Sequence, residues 1–328
     1  MLRLGRSWCA LSEGAGRRPV TAQLTTVPQR SGRNQGIELV RVLAAFAIVW
    51  YHSKAPGSEF SYSGLSAFLM LTMLFEVGSN WSRRVRIAAL ARRLLIPWAF
   101  WFVVFGAINL ARHQPFMSLD YSGGWVAGVL AGSSIHLWYI PFIFALIVTL
   151  AVMKRSVDRR QVLFWLAMTA TVVNLATVGQ WEPWSRQIGY PLAQWMQAST
   201  AVLIGLLIGL HRNTQWGAQA LAVALMLVAA TWVLSPLPGV ALPHMIAALV
   251  LLAALRWGDQ IPASPVMQTL ANATFGIYLC HPVFLGAAKQ LPLHVALRVT
   301  LAFVASALFV IAYQRLRVRL KQPASPFA

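Results

Sequence analysis

A chain of 328 residues that is 58% apolar and only 11% charged is not an ordinary soluble enzyme, in which charged side chains make up about a quarter of the total. Its net charge of +19 raises the question of a nucleic-acid partner. The basic residues fall in short segments between apolar blocks, the pattern of membrane topology signals, so the expected partner is the lipid bilayer and no nucleic acid is expected.

Residues 1–35 are basic and polar and lack the apolar core of a cleavable signal peptide, so they read as a disordered cytoplasmic tail. Ten apolar blocks follow, at 37–53, 62–79, 94–111, 135–153, 161–178, 192–210, 216–234, 240–256, 268–288 and 294–314. Each is long enough to cross a hydrocarbon core of about 30 Å as a helix. Breakers separate most of them: Ala55-Pro56-Gly57, Asp120 to Gly124, Trp181-Glu182-Pro183, Ser235 to Gly239 and Leu291-Pro292. The small, Gly-rich stretch 123–134 reads as a short re-entrant or interfacial segment. The fold expected is all-α, a polytopic bundle of about ten membrane helices over 36–316, with a second cytoplasmic tail at 317–328. No internal repeat is visible, so the sequence gives no support to an inverted-repeat transporter.

Orientation follows from the loops. With the N-terminus inside, 21 of the 27 Lys and Arg lie on the cytoplasmic side, and four (Lys54, Arg112, Arg186, Lys289) lie outside. That imbalance puts both termini in the cytoplasm. The run Arg315, Arg317, Arg319, Lys321 then meets anionic headgroups.

The first block, GIELVRVLAAFAIVWYHS, carries three groups that lipid should exclude: Glu38, Arg41 and His52. Glu38 and Arg41 stand three apart and can pair on one helix face. They form either an interfacial salt bridge or a guanidinium site for phosphate or carboxylate at the mouth of a polar cavity. His52 lies eleven positions beyond Arg41, about three turns and 16 Å along the same face. An imidazole there suits a general base for a hydroxyl, although a histidine at a helix end is also a common interfacial residue. His113, His136, His244, His281 and His294 fall on the same outer side as His52, which fits a polar vestibule opening outward, and His211 falls inside. Their spacing makes no HExxH or paired-ligand pattern, and neither Cys9 nor Cys280 has a CxxC partner, so no metal site is expected.

The basic segment WSRRVRIAALARRLLIPW supplies Arg83, Arg84, Arg86, Arg92 and Arg93 on the inner side. Topology and headgroup contact account for most of them, and a subset suits the phosphates of a cytoplasmic donor. Neither a Walker loop nor a GxSxG elbow accompanies it. The 14 Trp, including Trp50, Trp81, Trp98, Trp138, Trp216 and Trp257, read as interfacial anchors near span ends.

Four of these features together resemble the integral-membrane, or type 3, acyltransferases, which include O-acetylases of bacterial surface polysaccharides. They are ELVRVLAAFAIVWYH with Glu38, Arg41 and His52; RRLLIPW with Arg92 and Arg93; HLWYIPFIFAL with His136 and Trp138; and FGIYLCHPVF with Tyr278 and His281. They occur in family order over residues 36–316. The stretch SGLSAFLMLTMLFEVGS departs from the family's Phe-rich Ser-Gly-Phe second helix, which leaves the subgroup and the acceptor open. The resemblance implies a multi-pass protein of the bacterial inner membrane, without a fused hydrolase-like domain. Its activity would be transfer of an acyl group, most often acetyl, from cytoplasmic acyl-CoA to a sugar hydroxyl of a surface polysaccharide or lipid-linked glycan. Acyl-CoA would be a donor substrate and no cofactor would be bound. His52 would be base or transient acyl carrier, with Arg41 and Glu38 beside it in the catalytic set. Arg92 and Arg93 would help hold the donor, and His136, Trp138, Tyr278 and His281 would line the acceptor vestibule. The competing class is a transporter or flippase for a lipid-linked glycan or acyl group, with His52 and Arg41 as relay groups; a sensor without catalysis is a third.

Overall fold

Every regular element among the described residues is helical, as lipid demands of a backbone whose polar groups must pair within the segment. The computed structural model describes residues 33–79, 81, 86–121, 123–157, 159–234 and 241–320. The tail before Arg33, Arg83, Arg84, the turn at 235–239 and residues 321–328 lie outside the described residues.

Helix α1 (Gln35–Ser53) starts where the Asn34 side chain accepts a hydrogen bond from the Ile37 amide at 2.9 Å. It ends at Lys54, whose φ of 61° leaves the helical region, and the turn through Pro56 and Gly57 follows as expected. The short α2 (Ser58–Ser61) leads into α3 (Ser63–Gly78), then α4 (Ile87–Ala111) and the short α5 (Gly124–Ala131) within the predicted interfacial stretch. A 3-10 turn, Ile135–Trp138, opens α6 (Tyr139–Ser156).

Next come α7 (Arg160–Ala176), α8 (Val178–Ile188), α9 (Leu192–Leu210), α10 (Gly217–Leu234), α11 (Leu242–Trp257), α12 (Pro265–Ala288) and α13 (Val295–Arg319). Nine helices among the described residues are long and apolar enough to span a membrane, and ten if α7 and α8, bent by 78° at Thr177, count as one. The protein is therefore a polytopic helical membrane bundle.

The turn expected at Trp181-Glu182-Pro183 is instead inside α8. Glu182 and Arg186, four apart, pair across the helix, and the Trp181 indole donates to the Asn174 carbonyl at 2.7 Å. Together these outweigh the single backbone donor that Pro183 removes. At the other end of the chain α13 continues to Arg319, past the expected boundary at 316.

The bundle has a centre and a rim. Along their spans α9 and α12 are 56% buried, against 28% for α4, α10 and α13. The rim helices present large apolar side chains such as Val103, Met226 and Leu308 outward, as a lipid-facing surface should. At the centre small residues let backbones meet. A Cβ added to Gly205 of α9 would lie 2.7 Å from the Met70 Cα of α3. Helices α3, α11 and α12 all pack against α1, which sets its polar stripe in their midst.

Candidate active site

The stripe has two separate ends. At its start Glu38 is buried and pairs with Arg41 at 3.0 Å, while Arg33 approaches its other oxygen at 3.9 Å. Arg33 also donates to the Asn272 side chain of α12 at 2.9 Å. One carboxylate thus sits between two guanidinium groups, leaving a net positive charge with Arg41 partly exposed. Neighbouring backbone is drawn in by Gln35, whose amide oxygen accepts from the Ser264 amide at 3.2 Å. Gly36 packs so closely on Gly258 that an added Cβ would lie 2.6 Å from its Cα.

At the far end three histidines from three segments meet. The ring centroids of His52 and His281 are 5.2 Å apart, those of His136 and His281 5.2 Å, and those of His52 and His136 6.2 Å. Among the described residues, no group of His, Cys, Asp or Glu has the arrangement of a metal site. His136 and His281 are buried, whereas His52 is partly exposed.

The hydrogen bonds decide which nitrogens are available. A carbonyl only accepts, so His136 donates from Nε2 to Leu279 at 3.3 Å, and for a neutral ring its Nδ1 accepts from the Ser134 hydroxyl at 3.0 Å. Tyr278 donates its phenol to the His136 carbonyl, so the HLW and YLCH segments are tied together in both directions. His281 donates from Nδ1 to the Tyr278 carbonyl at 2.7 Å, and its buried Nε2 has no partner. Neither ring nitrogen of His52 is hydrogen-bonded among the described residues. Two aromatic rings pack against the cluster, the Phe105 centroid 5.1 Å from that of His136 and the Tyr51 centroid 5.3 Å from that of His52.

The structure thus joins Glu38 with Arg41, and His52 with His136, Tyr278 and His281. It leaves three other candidates apart. Arg92 and Arg93 are exposed on α4, and neither makes an ion pair or side-chain hydrogen bond among the described residues. Arg92 instead borders an open apolar groove with Ile96, Phe100 and Val103. Trp138 is buried, with ring contacts to Tyr139 and Phe142 rather than to a histidine, so it is a core residue and not the interfacial anchor expected from its place near a span end. Of the other histidines, His244 pairs with Ser66 at 2.8 Å between α3 and α11, and His294 caps α13. Ser134, Phe105 and Tyr51 were not legible as site residues, and only the position of Ser134 two residues before His136 signalled one of them.

A helical membrane bundle with a cluster of three imidazoles, taken with the sequence comparison, defines a class, a multi-pass membrane acyltransferase. The profile of the acyltransferase 3 family, described as an acyltransferase domain, matches residues 34–315. The chain belongs to that family. No curated relative and no solved structure matched it.

Proposed function

We propose that the protein moves an acyl group, acetyl first among them, from acyl-CoA at the Arg41 end of α1 to a sugar hydroxyl at the His52 end. The acceptor is a surface polysaccharide or lipid-linked glycan, and the membrane is the bacterial inner membrane, with both termini cytoplasmic. The observation that carries this reading is His52: a partly exposed imidazole with unengaged nitrogens, beside two buried ones, His136 with both nitrogens hydrogen-bonded and His281 with Nδ1 hydrogen-bonded.

The chemistry follows. A sugar hydroxyl ionises far above neutral pH, so attack on a thioester needs a base at that moment. His52 takes the hydroxyl proton as the oxygen–carbon bond forms, and returns it to the departing thiolate as the carbon–sulfur bond breaks. A donor bearing several phosphates cannot enter lipid, so it needs cations at the surface. Arg41 receives a phosphate in this reading, which its partly exposed guanidinium and its pairing with Glu38 support. The roughly 16 Å between the two ends is within the reach of an extended pantetheine arm lying along the stripe.

The test is transfer of label from acetyl-CoA into the glycan fraction of membranes carrying the parent, His52→Ala or Arg41→Ala. The reading expects transfer in the parent and loss in His52→Ala. Undiminished transfer by His52→Ala would remove the mechanism, and loss of glycan export with acylation intact would favour a transporter.

A further inference from the structure

Within the histidine cluster, and among the described residues, one buried nitrogen has no hydrogen-bond partner: Nε2 of His281. Native interiors seldom leave such an atom unpaired, so its surroundings should say what it is for. Residue 282 is a proline inside α12. In an α-helix the amide of residue 282 would bond the carbonyl of residue 278, and proline has no amide hydrogen to give. The Tyr278 carbonyl is thereby released, and the Nδ1–H of His281 takes it at 2.7 Å. A neutral imidazole carries one N–H, so donation from Nδ1 leaves Nε2 as a bare acceptor.

The neighbours narrow what that acceptor can hold. His136 has both nitrogens engaged, and the Tyr278 phenol is committed to the His136 carbonyl. His52 remains, with its centroid 5.2 Å away and its nitrogens free. Two imidazoles joined by an N–H···N bond of ordinary length have centroids about 5 Å apart, a bond near 2.9 Å plus two ring radii. The two rings stand at an interplanar angle of 38°, so the contact requires the His52 ring to turn toward His281.

We propose that Pro282 and His281 are positioning residues for His52. Pro282 sets the tautomer of His281, and the bare Nε2 holds the inward N–H of His52 so that its outward nitrogen faces the acceptor hydroxyl. This rests on the reading of His52 as base. When His52 takes the hydroxyl proton, its second N–H stays on the His281 lone pair. The proton then leaves with the thiol, and His281 carries the same proton before and after.

The experiment uses full-length protein with 15N-labelled histidine in lipid nanodiscs, read by two-bond 1H–15N correlation alongside acetyl-CoA turnover. The parent shows a ring protonated at Nδ1 that disappears in His281→Gln, distinct from that of His211, whose Nδ1 donates to the Ile208 carbonyl and persists; the Nε2 shift of the His281 ring moves when His52 is replaced by alanine. Pro282→Ala restores a backbone donor to Tyr278 and favours the helix, so folding is kept. In that variant the His281 ring becomes a tautomer mixture, and kcat falls about tenfold or more while the KM for acetyl-CoA stays within about twofold. Three outcomes overturn the proposal: a parent His281 protonated at Nε2, an Nε2 shift blind to His52→Ala, or a tautomer change in Pro282→Ala with kcat unaltered. A parent that turns over no acyl-CoA would remove the acyltransferase reading, and the two spectral outcomes would still decide the tautomer and the contact.

Discussion

At one end of α1 a carboxylate lies between two guanidinium groups, Arg41 from its own helix and Arg33 from two residues before it. At the other, imidazoles arrive from α1, from the 3-10 turn before α6 and from α12. The first assembly is local and charged and partly open. The second depends on tertiary packing, and two of its three members are buried. Intramembrane polar groups are costly in either form, but the costs are met differently: by charge pairing at one end, and by carbonyl and hydroxyl partners at the other. The two ends should therefore fail differently when altered.

The sharpest break between them is expected at His52. His52→Ala removes the base and should lower kcat by about 10²–10⁴-fold, the usual range for general-base catalysis, with the KM for acetyl-CoA little changed. Turnover of labelled acetyl-CoA by purified protein in nanodiscs measures both. Arg41→Ala should do the reverse. It should raise that KM by about tenfold or more, in line with a lost charge-assisted contact, while kcat falls less. Arg41→Lys should recover only part of it, because an ammonium lacks the planar fork. Arg92→Ala and Arg93→Ala should each shift KM by less than Arg41→Ala, since neither side chain is held by a partner in the structure.

Smaller effects probe how each end is built. Gly36→Ala forces a methyl against the Gly258 backbone, which should lower stability by about 1–3 kcal/mol as overpacking does, read as an earlier thermal unfolding of the detergent-solubilised protein. Ser134→Ala removes only the hydroxyl that holds Nδ1 of His136. It should cost a few-fold in kcat, about the value of one hydrogen bond. Equal loss from Ser134→Ala and His52→Ala would erase the distinction between a reacting imidazole and its support.

The same contrast explains what could be read from the chain. Glu38 and Arg41 are three apart on one helix, so their pairing follows from helical geometry alone. The ten apolar blocks likewise follow from hydropathy, although the fifth ends in a bend at Thr177 and a surface helix, because α8 is held by Glu182–Arg186 rather than by apolar burial. The meeting of His52 with His136 and His281 could not be read this way, since it joins residues more than 80 positions apart through packing of α1, α6 and α12. Motif order singled out these three histidines without saying that they touch. Trp138 shows the opposite failure: its place at a span end matched the aromatic belt, but the 3-10 turn rotates it into the core. The role of Pro282 was equally hidden, because it appears only once the Tyr278 carbonyl is seen bonded to His281.

The division of labour along α1 is tested most directly by binding of labelled acetyl-CoA, without turnover, to His52→Ala and Arg41→Ala proteins in nanodiscs. The account predicts that His52→Ala binds donor as tightly as the parent and that Arg41→Ala binds it about tenfold more weakly, the loss expected for a charge-assisted contact. Parental binding by Arg41→Ala, together with loss of binding in His52→Ala, would contradict it.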